Sequence, residues 1–294
     1  MRRRDPCRDS AFSALYEFPA VVEPGTTTVF GNVPCVPDRP VRLDHDGPLA
    51  IITIDSSPLN LFDEAIIAAL GDAISAVAAS DARGLLLRAE GRVVSAGVDV
   101  NLFATLTPES GSQLWRGWFA MIHALEDLRI PTVFAAHGLC LTAAFEISLA
   151  CDLLLAAESA RFGLVEIVVG LTPSMGGPQR LAERAGPARA RELVYTGELY
   201  GAATLEQWNV VNRVLPDDGF ADAARKFALR LANGPTRAHA ATKAIIREQI
   251  EVGTGGADAI TPEISGTLFA TEDLQNAVAS FLRDGPGKAT YAGR

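Results

Sequence analysis

The side chains in this sequence best suited to chemistry are two glutamates, Glu146 and Glu166, twenty residues apart in otherwise apolar segments. On a helix, Glu146 shares a stripe with Ala143, Ile147 and Ala150, which turns it away from water. Burying a carboxylate there costs on the order of several kcal/mol unless the charge is paired or protonated. Glu146 therefore either works on a ligand or answers a structural partner such as an arginine. Glu166, between Val165 and Ile167, reads either as a second reactive carboxyl or as an exposed acid at a strand end. Two carboxyls on opposite sides of one small site can hold a water between them, one as base and the other as acid. The apolar run Thr132–Ala136 reads as a buried strand feeding a helix that starts near Thr142, whose first N–H groups are left unpaired and suit an oxyanion.

Other chemistries find no support in the sequence. His45, His123, His137 and His239 are scattered without metal-ligand spacing, so structural roles and no metal are expected. Phosphate-binding glycine loops, a G-x-S-x-G elbow and H-E-x-x-H are absent. Cys7, Cys35, Cys140 and Cys151 form no C-x-x-C pair, and the last two lie in apolar segments where a free thiol packs as a small hydrophobe, as in a reducing cytoplasm. With 26 basic and 35 acidic residues the net charge is −9, which argues against nucleic acid as a partner. Met1-Arg2-Arg3-Arg4 is basic, but Asp5, Pro6, Arg8 and Asp9 follow in place of an apolar segment, and Asp5, Asp9 and Glu17 count against a transit peptide. No stretch reaches the length of a membrane span, so a soluble cytoplasmic protein is expected.

The elements that must position the glutamates alternate in type. Leu49–Ile54 reads as a strand, Asp63 to about Ala79 as a helix, Gly84–Arg88 as a strand, and Ser110 to Leu128 as a helix. Thr132–Ala136, a short helix near Ala143–Ala150 and the strand Asp152–Ala156 continue the series, which predicts parallel crossovers and an α/β fold. Beyond Gly177 the pattern turns helical, with Val210–Leu215 as one late strand. Three regions follow: a proline-rich arm over residues 1–40, a core over 41–234, and a helical region over 235–294 that begins at Gly234-Pro235. In that last region Thr271 caps a helix through Leu282 with a single apolar stripe, which needs a covering surface.

Three stretches, in order, resemble the crotonase (enoyl-CoA hydratase/isomerase) family: Arg92-Val-Val-Ser-Ala-Gly-Val-Asp-Val100, His137-Gly-Leu-Cys-Leu-Thr-Ala-Ala-Phe-Glu146, and Phe162–Glu166 running on through Gly170–Leu181. Ile130-Pro131, Ala150-Cys151-Asp152 and Phe269–Asp273 extend the likeness over about residues 41 to 285. The resemblance implies a spiral of β-β-α turns, a helical C-terminal region that drives a homotrimer or a hexamer of two trimers, and a bent acyl-CoA as substrate with no separate cofactor. It implies that the backbone N–H groups of Val98 and Ala143 form an oxyanion hole, with Ala96, Gly97, Asp99 and Thr142 beside the acyl thioester. It also implies Glu146 and Glu166 as a hydratase pair, and Arg92, at the start of the first motif, as a partner of the coenzyme A phosphates. Lys288 is the next candidate for that phosphate contact.

The sequence departs from the family pattern at two places. Thr142-Ala143-Ala144, followed by Phe145, stands where related hydratases carry a glycine run. A backbone donor does not require glycine, but the added side chains narrow the acyl approach or move the donor. Thr172-Pro173-Ser174-Met175 replaces a glycine-rich turn and puts the thioether of Met175 near the acyl group, predicting an altered acyl preference. Three activities stay open at this level: hydration of a 2-enoyl-CoA, isomerisation or another thioester-enolate reaction, and acyl-CoA binding without catalysis. The two glutamates favour the first, and the lost glycines favour the last.

Overall fold

A computed structural model describes residues 40–294. The arm expected over residues 1–40 lies outside them apart from Pro40, as do Cys7 and Cys35. In chain order the strands are β1 (Val41–Asp46), β2 (Leu49–Ile54), β3 (Gly84–Ala89), β4 (Thr132–Ala136), β5 (Leu139–Leu141), β6 (Leu153–Ala157), β7 (Arg161–Gly163), β8 (Tyr200–Gly201) and β9 (Arg213–Leu215). The helices are α1 (Glu64–Ala78), α2 (Pro108–Glu126), α3 (Ala143–Ala150), α4 (Gly177–Ala185), α5 (Pro187–Thr196), α6 (Ala202–Gln207), α7 (Phe220–Ala232), α8 (Thr236–Val252), α9 (Thr254–Leu268) and α10 (Glu272–Asp284).

Six strands form one sheet in the order β1-β2-β3-β4-β6-β9. The β1–β2 pair is an antiparallel hairpin, and every other pair is parallel. The parallel strands read as unbroken apolar runs because helices or a second sheet layer cover them; all five residues of β4 are buried. A second sheet, β5-β7-β8, lies in the small three-stranded order. Two successive turns of the chain, β4-β5-α3 and β6-β7-α4, each place one strand in the large sheet, one short strand in the small sheet, and then a helix. This is the α/β spiral expected from the resemblance.

Local signals fix the helix starts. Asp63 caps α1 by accepting from the Ile66 N–H at 2.8 Å. In α2, Thr107 and Ser110 cap each other's backbone and Pro108 occupies the first turn, so that helix begins two residues before its expected start. The late strand is shorter than expected: Val210 and Val211 are core residues whose N–H groups both turn back to the Leu205 carbonyl, and pairing starts only at Arg213. Helix α3 is buried at all eight positions, not along one stripe, because it runs through the interior. Phe145 on α3 meets Phe162 on β7 with ring centroids 5.1 Å apart, pinning the helix to the small sheet. At the C-terminal end, Thr271 caps α10 as expected, accepting from the Leu274 N–H. Helices α8 to α10 leave Ile246, Ile250, Phe269, Val278, Phe281 and Leu282 exposed.

Candidate active site

The site is built on three parallel rungs. Ser95 pairs with Cys140 in a parallel bridge, and β5 pairs in turn with β7, so segment 94–98, β5 and β7 lie side by side. The first rung carries Val98. The Phe62 N–H donates to the Gly97 carbonyl at 2.8 Å and the Asp99 N–H donates to the Phe62 carbonyl at 2.9 Å. Val98, between those two bonds, turns its own N–H to the opposite side, where no partner meets it among the described residues. Gly97 makes this turn with φ +117, a conformation that side-chain-bearing residues rarely adopt.

Two residues not anticipated from the sequence hold that rung. The buried Asn60 amide donates to the carbonyls of Glu90, Val93 and Val94 at 2.9, 3.1 and 3.2 Å, and its oxygen accepts from the Ser56 N–H. The Ser95 hydroxyl donates to the Asn60 carbonyl at 2.7 Å and accepts from the Gly97 N–H at 3.0 Å. The sequence signal was one polar amide inside Leu59-Asn60-Leu61-Phe62, since a buried amide there must be satisfied by something nearby.

The second rung, β5, runs into α3. The Thr142 N–H donates to the Gly163 carbonyl at 3.0 Å and the Thr142 carbonyl accepts from the Glu146 N–H. Ala143 is the first residue of α3, and its N–H has no protein acceptor among the described residues. The positive end of the helix thus follows directly on the rung that pairs with the Ser95 segment.

Glu146 sits one turn into α3, 2% exposed. One carboxyl oxygen, Oε1, accepts from the Met175 N–H at 2.9 Å and the Gly177 N–H at 2.8 Å. A Cβ at Gly177 would stand 3.0 Å from Glu146 Cγ and Oε1 and 2.9 Å from Leu164 Cδ1, so a larger residue there would crowd the carboxyl. Burial pushes the Glu146 carboxyl up to about 7, against the pull of the two N–H donors and of the Arg180 charge. Arg180 is itself held by Glu126 on α2, its Nε donating at 2.8 Å.

The third rung, β7, leads to Glu166, which opens a single 3-10 turn through Val169. Its Oε2 is buried and has no hydrogen-bond partner. Burial and then the neighbouring Glu146 charge raise the Glu166 carboxyl to about 8. Two carboxyls, one anchored by backbone donors and one with a buried oxygen that has no protein partner, therefore lie close enough for the charge of one to act on the other.

The remaining expected site residues divide. Ala96, Gly97 and Thr142 are buried with the rungs. Met175 is buried too, and its main chain, not its thioether, is what binds Glu146. Asp99 turns its carboxylate to Asn101, accepting from that residue's backbone N–H at 3.0 Å and from its amide Nδ2 at 2.7 Å, so it caps the 3-10 turn Val100–Thr105. Arg92 and Lys288 are exposed and form no ion pair among the described residues. No cluster of three or more metal-ligating side chains occurs among those residues. His137 contacts the Gly91 carbonyl through Nε2 at 3.0 Å. Cys140 and Cys151 are buried free thiols, as expected.

The α/β spiral with its helical C-terminal region is the fold of the acyl-CoA enzymes of the crotonase superfamily. The family model described as "Enoyl-CoA hydratase/isomerase" matches residues 44–288. A probable enoyl-CoA hydratase of Mycobacterium bovis is 31% identical over 202 residues, covering 69% of this chain and 78% of the relative. A crotonyl-CoA hydratase of Syntrophomonas wolfei is 29% identical over 249 residues, 82% of this chain and 94% of the relative. The crystal structure of an enoyl-CoA hydratase of Geobacillus kaustophilus superposes with a TM-score of 0.81 at 29% identity, covering 87% of this chain and 98% of that one. The chain belongs to the enoyl-CoA hydratase/isomerase family, a lyase-type enzyme family with hydratase/isomerase chemistry on acyl-CoA substrates.

Proposed function

We propose that this enzyme hydrates a 2-enoyl-CoA thioester. The observation that carries the reading is the unequal environment of the two carboxyls. Glu146, with Oε1 held by two N–H donors and Arg180 nearby, is the better anion. Glu166, with a buried oxygen bound to nothing, is the better-held acid. In the proposed reaction Glu146 takes a proton from water as the water oxygen bonds to C3. The C2=C3 π electrons move through the conjugated thioester onto its oxygen, where the Val98 and Ala143 N–H groups receive the charge. The enolate then collapses as Glu166 gives its proton to C2. One C–O and one C–H bond form, one π bond is lost, and the two glutamates end with exchanged protonation, to be reset through solvent.

Coenzyme A phosphates are assigned to Arg92, with Lys288 as the alternative, because both are exposed cations without an internal partner among the described residues. A homotrimer or hexamer is part of the same proposal, supported by the apolar side chains exposed along α8 to α10. A cytoplasmic setting accords with the two buried thiols, and no helix among the described residues is long and apolar enough to cross a membrane. The test is incubation of pure protein with crotonyl-CoA and longer 2-enoyl-CoAs, following loss of the conjugated thioester absorbance. Formation of the 3-hydroxyacyl product supports hydration. A product with the double bond shifted to C3 assigns an isomerase, and binding without turnover assigns a carrier.

A further inference from the structure

Thr142 has φ +47 and ψ −120, a backbone conformation that a β-branched residue adopts only under strain. A threonine at a helix N-terminus ordinarily accepts from an N–H in the first turn, yet here it makes no such bond. Its hydroxyl is instead turned toward the first rung. Thr142 Oγ1 lies 3.1 Å from where a Cβ on Gly97 would stand. The residue is 7% exposed and Oγ1 has no hydrogen-bond partner. The hydroxyl thus lies against Gly97, which precedes one free backbone donor, on the residue that precedes the other.

From this geometry we infer that the Thr142 hydroxyl is a third donor to the thioester oxygen, a side-chain supplement to the Val98 and Ala143 N–H groups. A buried hydroxyl without a protein partner is costly, and an incoming oxyanion satisfies it at the moment charge develops. The same contact gives the strained conformation a use, since Thr142 must hold this φ for its side chain to leave the helix and face the neighbouring rung. The inference rests on the proposed thioester-enolate chemistry but not on hydration as the outcome.

The test uses acetoacetyl-CoA, a β-ketoacyl thioester whose enolate absorbs in the ultraviolet, bound to the intact protein and to Thr142→Val, Thr142→Ser and Thr142→Gly. Val keeps the shape and loses the donor, Ser keeps the donor, and Gly removes both the donor and the strain. Wild type and Thr142→Ser are expected to raise the enolate fraction of the bound ligand. Thr142→Val and Thr142→Gly should lower the enolate-to-keto ratio by roughly tenfold or more, a larger factor than their loss of affinity for saturated butyryl-CoA, whose thioester oxygen carries no developed charge. Thr142→Gly should also melt at a higher temperature than wild type, so stability and function move in opposite directions. Enolate formation by Thr142→Val equal to wild type would overturn the inference, as would a serine variant as poor as valine, or a wild type that binds acetoacetyl-CoA without enolising it. Enolisation without hydration of crotonyl-CoA would remove the proposed hydratase activity and leave the third donor standing.

Discussion

A carboxyl that must accept a proton and another that must donate one work together only where the first is ionised and the second is not. With Glu146 raised to about 7 and Glu166 to about 8, that window is narrow and lies near neutrality. The profile of kcat/KM against pH should be bell-shaped with its maximum between these values, and a flat profile from pH 6 to about 9 would contradict the assignment. Glu146→Gln and Glu166→Gln are each expected to lower turnover by at least about a hundredfold with folding and coenzyme A binding intact, as steady-state kinetics and circular dichroism would show. The same shift has a stability sign. Glu166 holds its proton in the folded state up to about 8 and, in the unfolded chain, only to the ordinary value of 4.5. The folded protein therefore binds more protons within that window, and stability falls as pH rises through it. Glu166→Gln escapes this loss, so its denaturant midpoint relative to wild type should climb from acid to alkaline pH and level off above about 8. A difference that shrank with rising pH would reverse the sign.

At the scale of elements, the reactive groups depend on segments that do little else. Asn60 bonds three carbonyls of the loop that ends in Val98, so Asn60→Ala leaves several buried groups unsatisfied. A loss on the order of 2–3 kcal/mol is expected in urea unfolding, with turnover falling further than the affinity for substrate because the donor moves. Legibility in the sequence follows the length of the signal. The strands β2, β3 and β4 announce themselves through runs of three or four apolar residues inside strands of five or six, and the helices α1, α2 and α10 through periodic stripes with caps. The strands β5, β7 and β8 span only three, three and two residues, too short for any alternation, and they form the small sheet that aligns the site. The two glutamates could be picked out because a charge in an apolar context is conspicuous. Asn60 was not, because its importance lies in carbonyls thirty and more residues away. Nor was the anchoring of Glu146 by Met175 and Gly177, which depends on a turn folding back across α3.

At the scale of the whole molecule, α10 exposes Phe281 at 59% and Leu282 at 80%, adjacent large apolar side chains that a subunit interface would cover. Light scattering at micromolar concentration should give a trimer or hexamer mass. Phe281→Asp combined with Leu282→Asp should shift it toward monomer, and a monomeric wild type would remove the oligomer from the proposal. Within one chain, the rungs that carry Val98, Ala143 and Glu166 are locked in register by the Ser95–Cys140 bridge and the pairing of β5 with β7. Neighbouring residues along a strand point their N–H groups to opposite sides. Inserting one residue between Ser95 and Val98 would therefore swing the Val98 donor back toward Phe62 and withdraw it from the proposed oxyanion site. The hairpin at Gly47-Pro48, remote from these pairings, carries no such constraint. Apart from the two glutamates, Thr142 and Gly97, exchanges of side chain along the three rungs are expected to cost this enzyme less than any insertion or deletion between them: the proposed site tolerates rewording but not a change in the number of letters.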